Sequence, residues 1–185
     1  LWLDADPPEI AASDQSPIAA DAGDGDPAAL IYPPGASGID EARMFSHREL
    51  GRNAEALRKV LDLDREARVL GTSAPQTAMS VVECILPLIG EGSIVAAGAD
   101  ELSNGTTLVQ RINAGKPDVV FASTDIWKKM LAVDVPGPRR LKAVCFGGTP
   151  KSKVVESILA RHGELWNTLS PDGGGVASCG RIDSP

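Results

Sequence analysis

The sequence predicts an α/β protein with a mostly parallel sheet and helices on both faces. Two observations carry this. Short apolar runs of β type alternate with segments of helical period from residue 28 onward, and alternation at this spacing requires right-handed crossovers between parallel strands. The clearest helical segments also show a buried face and a stop. One places apolar residues at Ala78, Val81, Val82, Ile85 and Leu88 or Ile89, the spacing of a helix packed on a core. The other has Val154, Val155, Ile158 and Leu159, with Gly163 where a helix ends.

In chain order, residues 1–27 read as an acidic connector. They hold Asp4, Asp6, Glu9, Asp14, Asp21, Asp24 and Asp26 with no Lys or Arg, and a stretch rich in Asp, Ala and Pro is solvated. Its opening Leu1, Trp2 and Leu3 could dock as an edge strand. The α/β body spans 28–185. Strands are expected at Leu30–Tyr32, Val69–Thr72, Ser93–Ala97, Val119–Ala122, Ala143–Phe146 and Leu165–Leu169. Helices are expected at Ser46–Leu63, Thr77–Ile89, Thr106–Ala114, Asp125–Val133 and Ser152–His162. Gly173, Gly174 and Gly175 form a loop near the end.

Composition narrows the function classes. At 185 residues with 43% hydrophobic content, the chain is about one domain with a real core. No stretch approaches the roughly 20 apolar residues of a membrane span. The net charge of −7 comes from the leader, because the remaining 18 acids and 18 bases cancel; a neutral body offers no basic face for nucleic acid. Cys84, Cys145 and Cys179 are odd in number and show no close pair, which points to reduced thiols buried as small core residues in a cytoplasmic protein. The chain lacks Met at position 1 and a charged start followed by an apolar block, so it shows no secretory signal and is expected to begin partway through a longer polypeptide.

Ala28–Leu50 has the outline of a phosphate-binding loop: an apolar run enters a turn of Pro33, Pro34, Gly35, Ala36, Ser37 and Gly38, then leaves through charged residues toward a helix. Such turns bind anions because backbone N–H groups converge on them. Here Pro33 and Pro34 carry no N–H, and Asp40 and Glu41 stand where a lysine is wanted, repelling phosphate. An ordinary strand-to-helix turn is the competing reading. Ligands of an open α/β sheet bind at the carboxyl ends of its strands, which places Tyr32–Gly38, Gly147–Pro150 and Ser170–Gly175 along one edge.

These three loops, in this order, resemble the adenylate-forming (AMP-binding) superfamily, most closely the adenylation domains of nonribosomal peptide synthetases. Tyr32–Ala42 matches the family's Tyr-Thr-Ser-Gly-Ser-Thr-Gly-x-Pro-Lys-Gly, with Ser46, His47 and Arg48 as its Ser-His-Arg. Thr77–Glu83 matches Phe-Asp-x-Ser-Val-Trp-Glu, followed by Pro87, Leu88, Ile89 and Gly92. Gly147 and Gly148 match the Gly-Gly of the adenine pocket, and Asn167–Gly173 matches Asn-x-Tyr-Gly-Pro-Thr-Glu. The resemblance covers nearly the whole chain and implies the central flavodoxin-like, Rossmann-like subdomain of the adenylate-forming fold. It also implies a vestigial ATP site at Gly35, Ser37, Gly38, Gly147, Gly148 and Asn167.

The departures fall on the chemistry. The phosphate-loop Thr-Ser pair is Pro33 and Pro34, and its lysine is Glu41. The aspartate that pairs with an amino acid's ammonium is Ala78, so a buried cation there would lose its counter-charge. In the last motif the adenine-stacking Tyr is Leu169, the phosphate-contacting Thr is Asp172 and the magnesium-binding Glu is Gly173; without that carboxylate the metal has little hold. The chain is expected to lack the first part of the large amino-terminal domain, the hinge and the carboxy-terminal domain with its catalytic lysine.

Individual residues keep two readings. Asn167 is either a contact to an adenine edge or a loop residue satisfying its own turn. Ser37 either touches phosphate or caps its turn. Glu83, inside an apolar helix, is expected to have a structural partner. His47 and His162 are expected on exposed helix surface, and Ser80, Ser178 and Cys179 lack the setting of a nucleophile. Trp127, with Ile126, Met130 and Leu131, is expected to pack a helix onto the sheet. No catalytic residue and no metal site is assigned.

The function these readings favour is a degenerate, catalytically silent partial adenylation domain, a structural or docking element of a peptide synthetase or hybrid megasynthase. Its expected partners are other domains of the same megasynthase, or a second copy, through an exposed apolar face; neither nucleic acid nor membrane is expected. One alternative is a segment of an interrupted or split adenylating enzyme that activates a carboxylic acid lacking an amino group, with ATP and magnesium as cofactors. Another is an unrelated α/β binding module.

Overall fold

The computed structural model describes residue 16 and residues 21–32, 42–169 and 176–185. The expected edge strand at Leu1–Leu3 and the loops 33–41 and 170–175 lie outside them.

The main sheet has six strands, β3 (Arg68–Gly71), β4 (Ser93–Ile94), β5 (Val119–Ser123), β6 (Lys142–Phe146), β7 (Leu165–Leu169) and β8 (Ser178–Ile182), in the spatial order β4-β3-β5-β6-β7-β8. All neighbours are parallel except β7 and β8. The mostly parallel α/β architecture is thus as expected. From β3 the chain first builds outward to β4 and then returns to add β5 on the other side, so the order reverses between β3 and β5. That is where an open α/β sheet leaves a crevice.

Two-sided burial explains the sheet. Alternate residues of a strand point to opposite faces, and here both sets are apolar. Leu70, Val120, Ala122, Ala143 and Cys145 join a core with Leu108 and Ile112 of α4 (Gly105–Gly115), Trp127 and Met130 of α5 (Thr124–Leu131), and Val155 and Ile158 of α6 (Ser152–His162). Val69, Val119, Phe121 and Val144 join another with Ala54 and Leu57 of α1 (His47–Val60) and Met79, Val82 and Leu86 of α2 (Ala78–Leu88). Trp127 packs α5 onto the sheet as expected; it is 1% exposed, and its ring N–H donates to the Val144 carbonyl at 3.2 Å. Gly163, in the left-handed region at φ 79°, ends α6 where the sequence placed the stop.

Several local expectations need correction. The strand expected at Leu30–Tyr32 is β1 (Pro27–Ile31); it pairs antiparallel with β2 (Arg43–Ser46) in a separate ribbon, outside the main sheet. The ribbon packs Ile31 and Phe45 against Leu50 and Ala78, with Val81 and Ile85 beside them. Because α2 lies between this cluster and the sheet, its buried residues are Ala78, Met79, Ser80, Val82, Glu83, Leu86 and Pro87, whereas Leu88 and Ile89 are exposed. The short α3 (Ala99–Ser103), β2 and β8 were not foreseen. Ser46 is not the first turn of α1 but its cap, accepting from the Glu49 N–H while Glu49 reaches back to the Ser46 N–H at 2.8 Å. Of the cysteines, Cys145 is the core residue expected, Cys179 is half-buried and Cys84 is exposed.

His162 is buried, not exposed. Its ring packs at 5.8 Å from that of Trp127, and Nδ1 lies 2.8 Å from the Pro138 carbonyl. Burial lowers its pKa, and Arg161 adds to that shift. His47 is exposed as expected. The end of the acidic leader is held in place: the His47 and Arg48 N–H groups donate to the Asp26 and Asp24 carbonyls, and Arg48 pairs with the Asp24 carboxylate at 3.5 Å.

Trp127→Phe removes the bond to Val144 and part of the packing of α5, so we expect a loss of about 1–2 kcal/mol in unfolding free energy. Urea denaturation followed by circular dichroism measures it, and an unchanged midpoint would contradict the anchoring role of Trp127.

Candidate functional site

The carboxyl ends of β3, β5, β6 and β7 surround a cleft of about 640 Å³. Its described walls come from Thr72, Ser73 and Ala74 after β3, Ser123 at the end of β5, Phe146, Gly147 and Gly148 at the end of β6, Leu169 at the end of β7, and Ala177 and Ser178 entering β8. Thr77, Ala78 and Met79 at the start of α2 and Ile126 of α5 complete them. The cleft therefore sits at the switch point between β3 and β5 and extends along the strand ends.

Each wall is fixed locally. Thr77 caps α2 by accepting from the Ser80 N–H at 3.2 Å, and its hydroxyl donates to the Ala74 carbonyl at 2.8 Å. Ser123 closes β5 and caps α5, accepting from the Ile126 N–H. Gly147 and Gly148 turn the chain away from β6 with φ of 78° and 129°, conformations that disfavour a side chain.

Gly147 and Gly148 thus line the cleft, and Asn167 stands behind them. Asn167 belongs to β7 and is not a loop residue satisfying its own turn. Its amide orientation is assigned from its surroundings: turned so that the nitrogen faces β6, the side chain would donate to the Gly148 carbonyl at 3.1 Å and the Cys145 carbonyl at 3.2 Å. Gly35, Ser37 and Gly38 lie outside the described residues. Ala78, which the resemblance aligned with a substrate-binding aspartate, is on the wall, and so is Leu169, aligned with the adenine-stacking tyrosine. None of the described lining residues carries a charge. Among the described residues no group of His, Cys, Asp and Glu is placed to hold a metal ion. Ser80 donates its hydroxyl to the Pro75 and Thr77 carbonyls. Burial pushes the Cys145 thiol up to about 12 and the Cys179 thiol up to about 11, far from the thiolate a nucleophile needs.

Glu83 sits beneath the Ser73 wall at 5% exposure. It accepts from the Ser73 N–H at 3.1 Å and the Ser73 hydroxyl at 2.7 Å. A Cβ on Gly71 would collide with its carboxylate, so the glycine makes room for this acid. The sequence indicated a structural partner for Glu83; that partner is Ser73, and it fixes the lip of the cleft.

Burial pushes the Glu83 carboxyl up to about 7 from its ordinary 4.5, against the bonds from Ser73 that favour the charged form. A carboxyl whose folded-state pKa is raised binds more protons folded than unfolded, so its stabilisation is present below 4.5 and lost as pH rises through 7. Glu83→Gln keeps the shape and removes the titration. The stability of the unaltered chain relative to this variant should therefore fall by on the order of 2–3 kcal/mol between pH 5 and 8. Denaturant unfolding at several pH values measures the difference; a pH-independent one would contradict the buried, strained carboxyl.

No protein-family model matches the chain. Over 145 residues, 78% of its length, it is 22% identical to the dimodular nonribosomal peptide synthase of Bacillus subtilis. Over 147 residues, 79% of its length, it is 24% identical to nonribosomal peptide synthetase 5 of Gibberella zeae. It spans 6% and 1% of the lengths of these relatives. Among solved structures, a nonribosomal peptide synthetase in an AMPPNP-bound form superimposes with a TM-score of 0.80 at 15% identity, covering 94% of this chain and 19% of that one. A four-domain nonribosomal peptide synthetase bound to AMP and glycine gives 0.72 at 24% identity, covering 77% and 11%. The N-terminal subdomain of Klebsiella oxytoca NpsA, in complex with 3-hydroxyanthranilyl-AMSN, gives 0.69 at 19% identity, covering 88% and 42%. The chain is thus similar in sequence to nonribosomal peptide synthetases and has the fold of one of their adenylation subdomains.

Proposed function

We propose that this chain is a degenerate, catalytically silent part of an adenylation domain, acting as a structural or docking element of a cytoplasmic peptide synthetase or hybrid megasynthase. The observation that carries the reading is the absence of charge among the described lining residues of the cleft. A nucleotide triphosphate with magnesium needs cations and carboxylates around its phosphates, and the described lining residues supply neither. The sequence points the same way on loops beyond them, with Glu41 at the lysine position and Gly173 at the magnesium-ligand position. On this reading Gly147, Gly148 and Asn167 keep the outline of an ATP site, Gly35, Ser37 and Gly38 are retained positions of its sequence motif, and the charged positions of that motif are gone.

A docking role needs a surface. Leu30 and Met44, directly opposite each other on the β1–β2 ribbon, are 52% and 59% exposed, and Leu88 at the end of α2 is 62% exposed. Paired apolar exposure of this kind suits another domain of the same assembly. Ala78 supports a second reading, a segment of a split enzyme that activates a carboxylic acid without an amino group, because an alanine on the cleft wall accepts an uncharged aryl or alkyl group where an ammonium would go unpaired.

ATP–pyrophosphate exchange with panels of amino, aryl and aliphatic acids separates the two. We expect no exchange above the enzyme-free blank. Exchange driven by an aryl or aliphatic acid, and not by amino acids, would replace the silent reading with the split-enzyme one.

A further inference from the structure

Strand β8 is the outermost strand at one side of the main sheet. It pairs with β7, and among the described residues no strand lies along its other edge. Such an edge offers a row of backbone N–H and C=O groups that another strand can join. The opposite edge, β4, has only two residues, whereas β8 has five and neither Pro nor Lys to blunt it. Ser178, Gly180 and Arg181 are exposed along it, and nothing lies within 4 Å of where a Cβ on Gly180 would stand. The strand is nevertheless well anchored, because Ile182 packs on the core of one sheet face and Cys179 on that of the other.

Charge decides what can pair there. Arg181 and Asp183 are two residues apart, share one side of the chain and form an ion pair at 2.9 Å, with side chains 52% and 77% exposed. Antiparallel pairing sets residues directly opposite one another, so in a two-fold pair of β8 strands one residue meets its own copy. Centred on Arg181, the pair would bring two guanidiniums together, which is unfavourable. Centred on Gly180, Arg181 would face Cys179 and Asp183 would face Ala177, so neither charge gains a partner. Centred on Ile182, with the strand extended through Ser184, Arg181 of each copy faces Asp183 of the other. Four charges then alternate in sign on one side of the sheet, and the two Ile182 side chains meet on the other.

We infer that a second copy of this chain docks antiparallel along β8, about a two-fold axis at Ile182, with Arg181 and Asp183 setting the register through reciprocal ion pairs. Backbone pairing supplies the contact, and the exposed charges, each worth little in water, select among registers. This surface is distinct from the apolar ribbon offered to other domains, and the inference does not depend on the silent reading of the cleft.

Sedimentation velocity of the whole chain over a concentration series measures the association, and circular dichroism shows whether each variant is folded. The unaltered chain should show a monomer–dimer equilibrium. Arg181→Asp and Asp183→Arg each set like charges opposite one another twice, and each should weaken the dimer about tenfold or more. Mixed in equal amounts, the two variants regain opposite charges at both places and should associate within about threefold of the unaltered chain. Should either variant fail to fold, hydrogen exchange of the unaltered chain decides: amides of β8 should slow on dimerisation while those of β1 and β2 keep their rates. A monomer throughout the series, a dimer indifferent to both reversals, a mixture that stays monomeric, or protection on the ribbon in place of β8 would overturn the inference.

Discussion

Strands β5 and β6 are apolar on both faces, and that constraint organises the rest of the molecule. A strand buried on both sides needs a helical layer above and below it, so α4, α5 and α6 cover one face and α1 and α2 the other. With both faces occupied, the ends of the strands are where side chains and backbone can meet a ligand. Reversal of strand order between β3 and β5 opens the crevice at one of those ends.

What lines the crevice follows from how the strand ends are pinned. Trp127 fixes α5 by its bond to Val144, which sets Ile126 and the Ser123 cap at the rim. Asn167 pairs with Cys145 across β6 and β7, and its side-chain amide, turned toward β6, reaches the carbonyls of Cys145 and Gly148 beside the glycine turn. Glu83 ties α2 to the loop after β3 through Ser73. These supports pair polar groups with the backbone or with each other, and the described walls of the cleft carry no charge. The proposed silent role rests on this shape and on described walls that carry no charge.

Strand and helix alternation was legible in the sequence because β3, β5 and β6 are built on short apolar runs, and Gly163 marked a true helix end. The ribbon was not legible: Arg43-Met44-Phe45-Ser46 is too short and too mixed to read as a strand, and it becomes one by pairing with β1. The polar β8, Ser-Cys-Gly-Arg-Ile, is likewise a strand by virtue of its pairing with β7. The apolar stripe of α2 misled at Leu88 and Ile89 because the helix serves two clusters, so a single-face period does not describe it. His162 was misjudged because its partners, Trp127 and Pro138, are distant in sequence. At the site, the glycine pair and the neutral Ala78 could be read from motif order. The choice of Ser73 as partner of Glu83 depends on three-dimensional packing and leaves no trace in residue spacing.

In the silent role proposed above, an adenylation-type scaffold persists around a cleft with no hold on nucleotide. Isothermal titration calorimetry of the folded chain with ATP, in the presence and absence of magnesium, tests it most directly. No binding heat is expected up to millimolar ATP under either condition. Micromolar binding that tightens with magnesium would contradict it, because such affinity requires charged partners for the phosphates that the described walls do not provide.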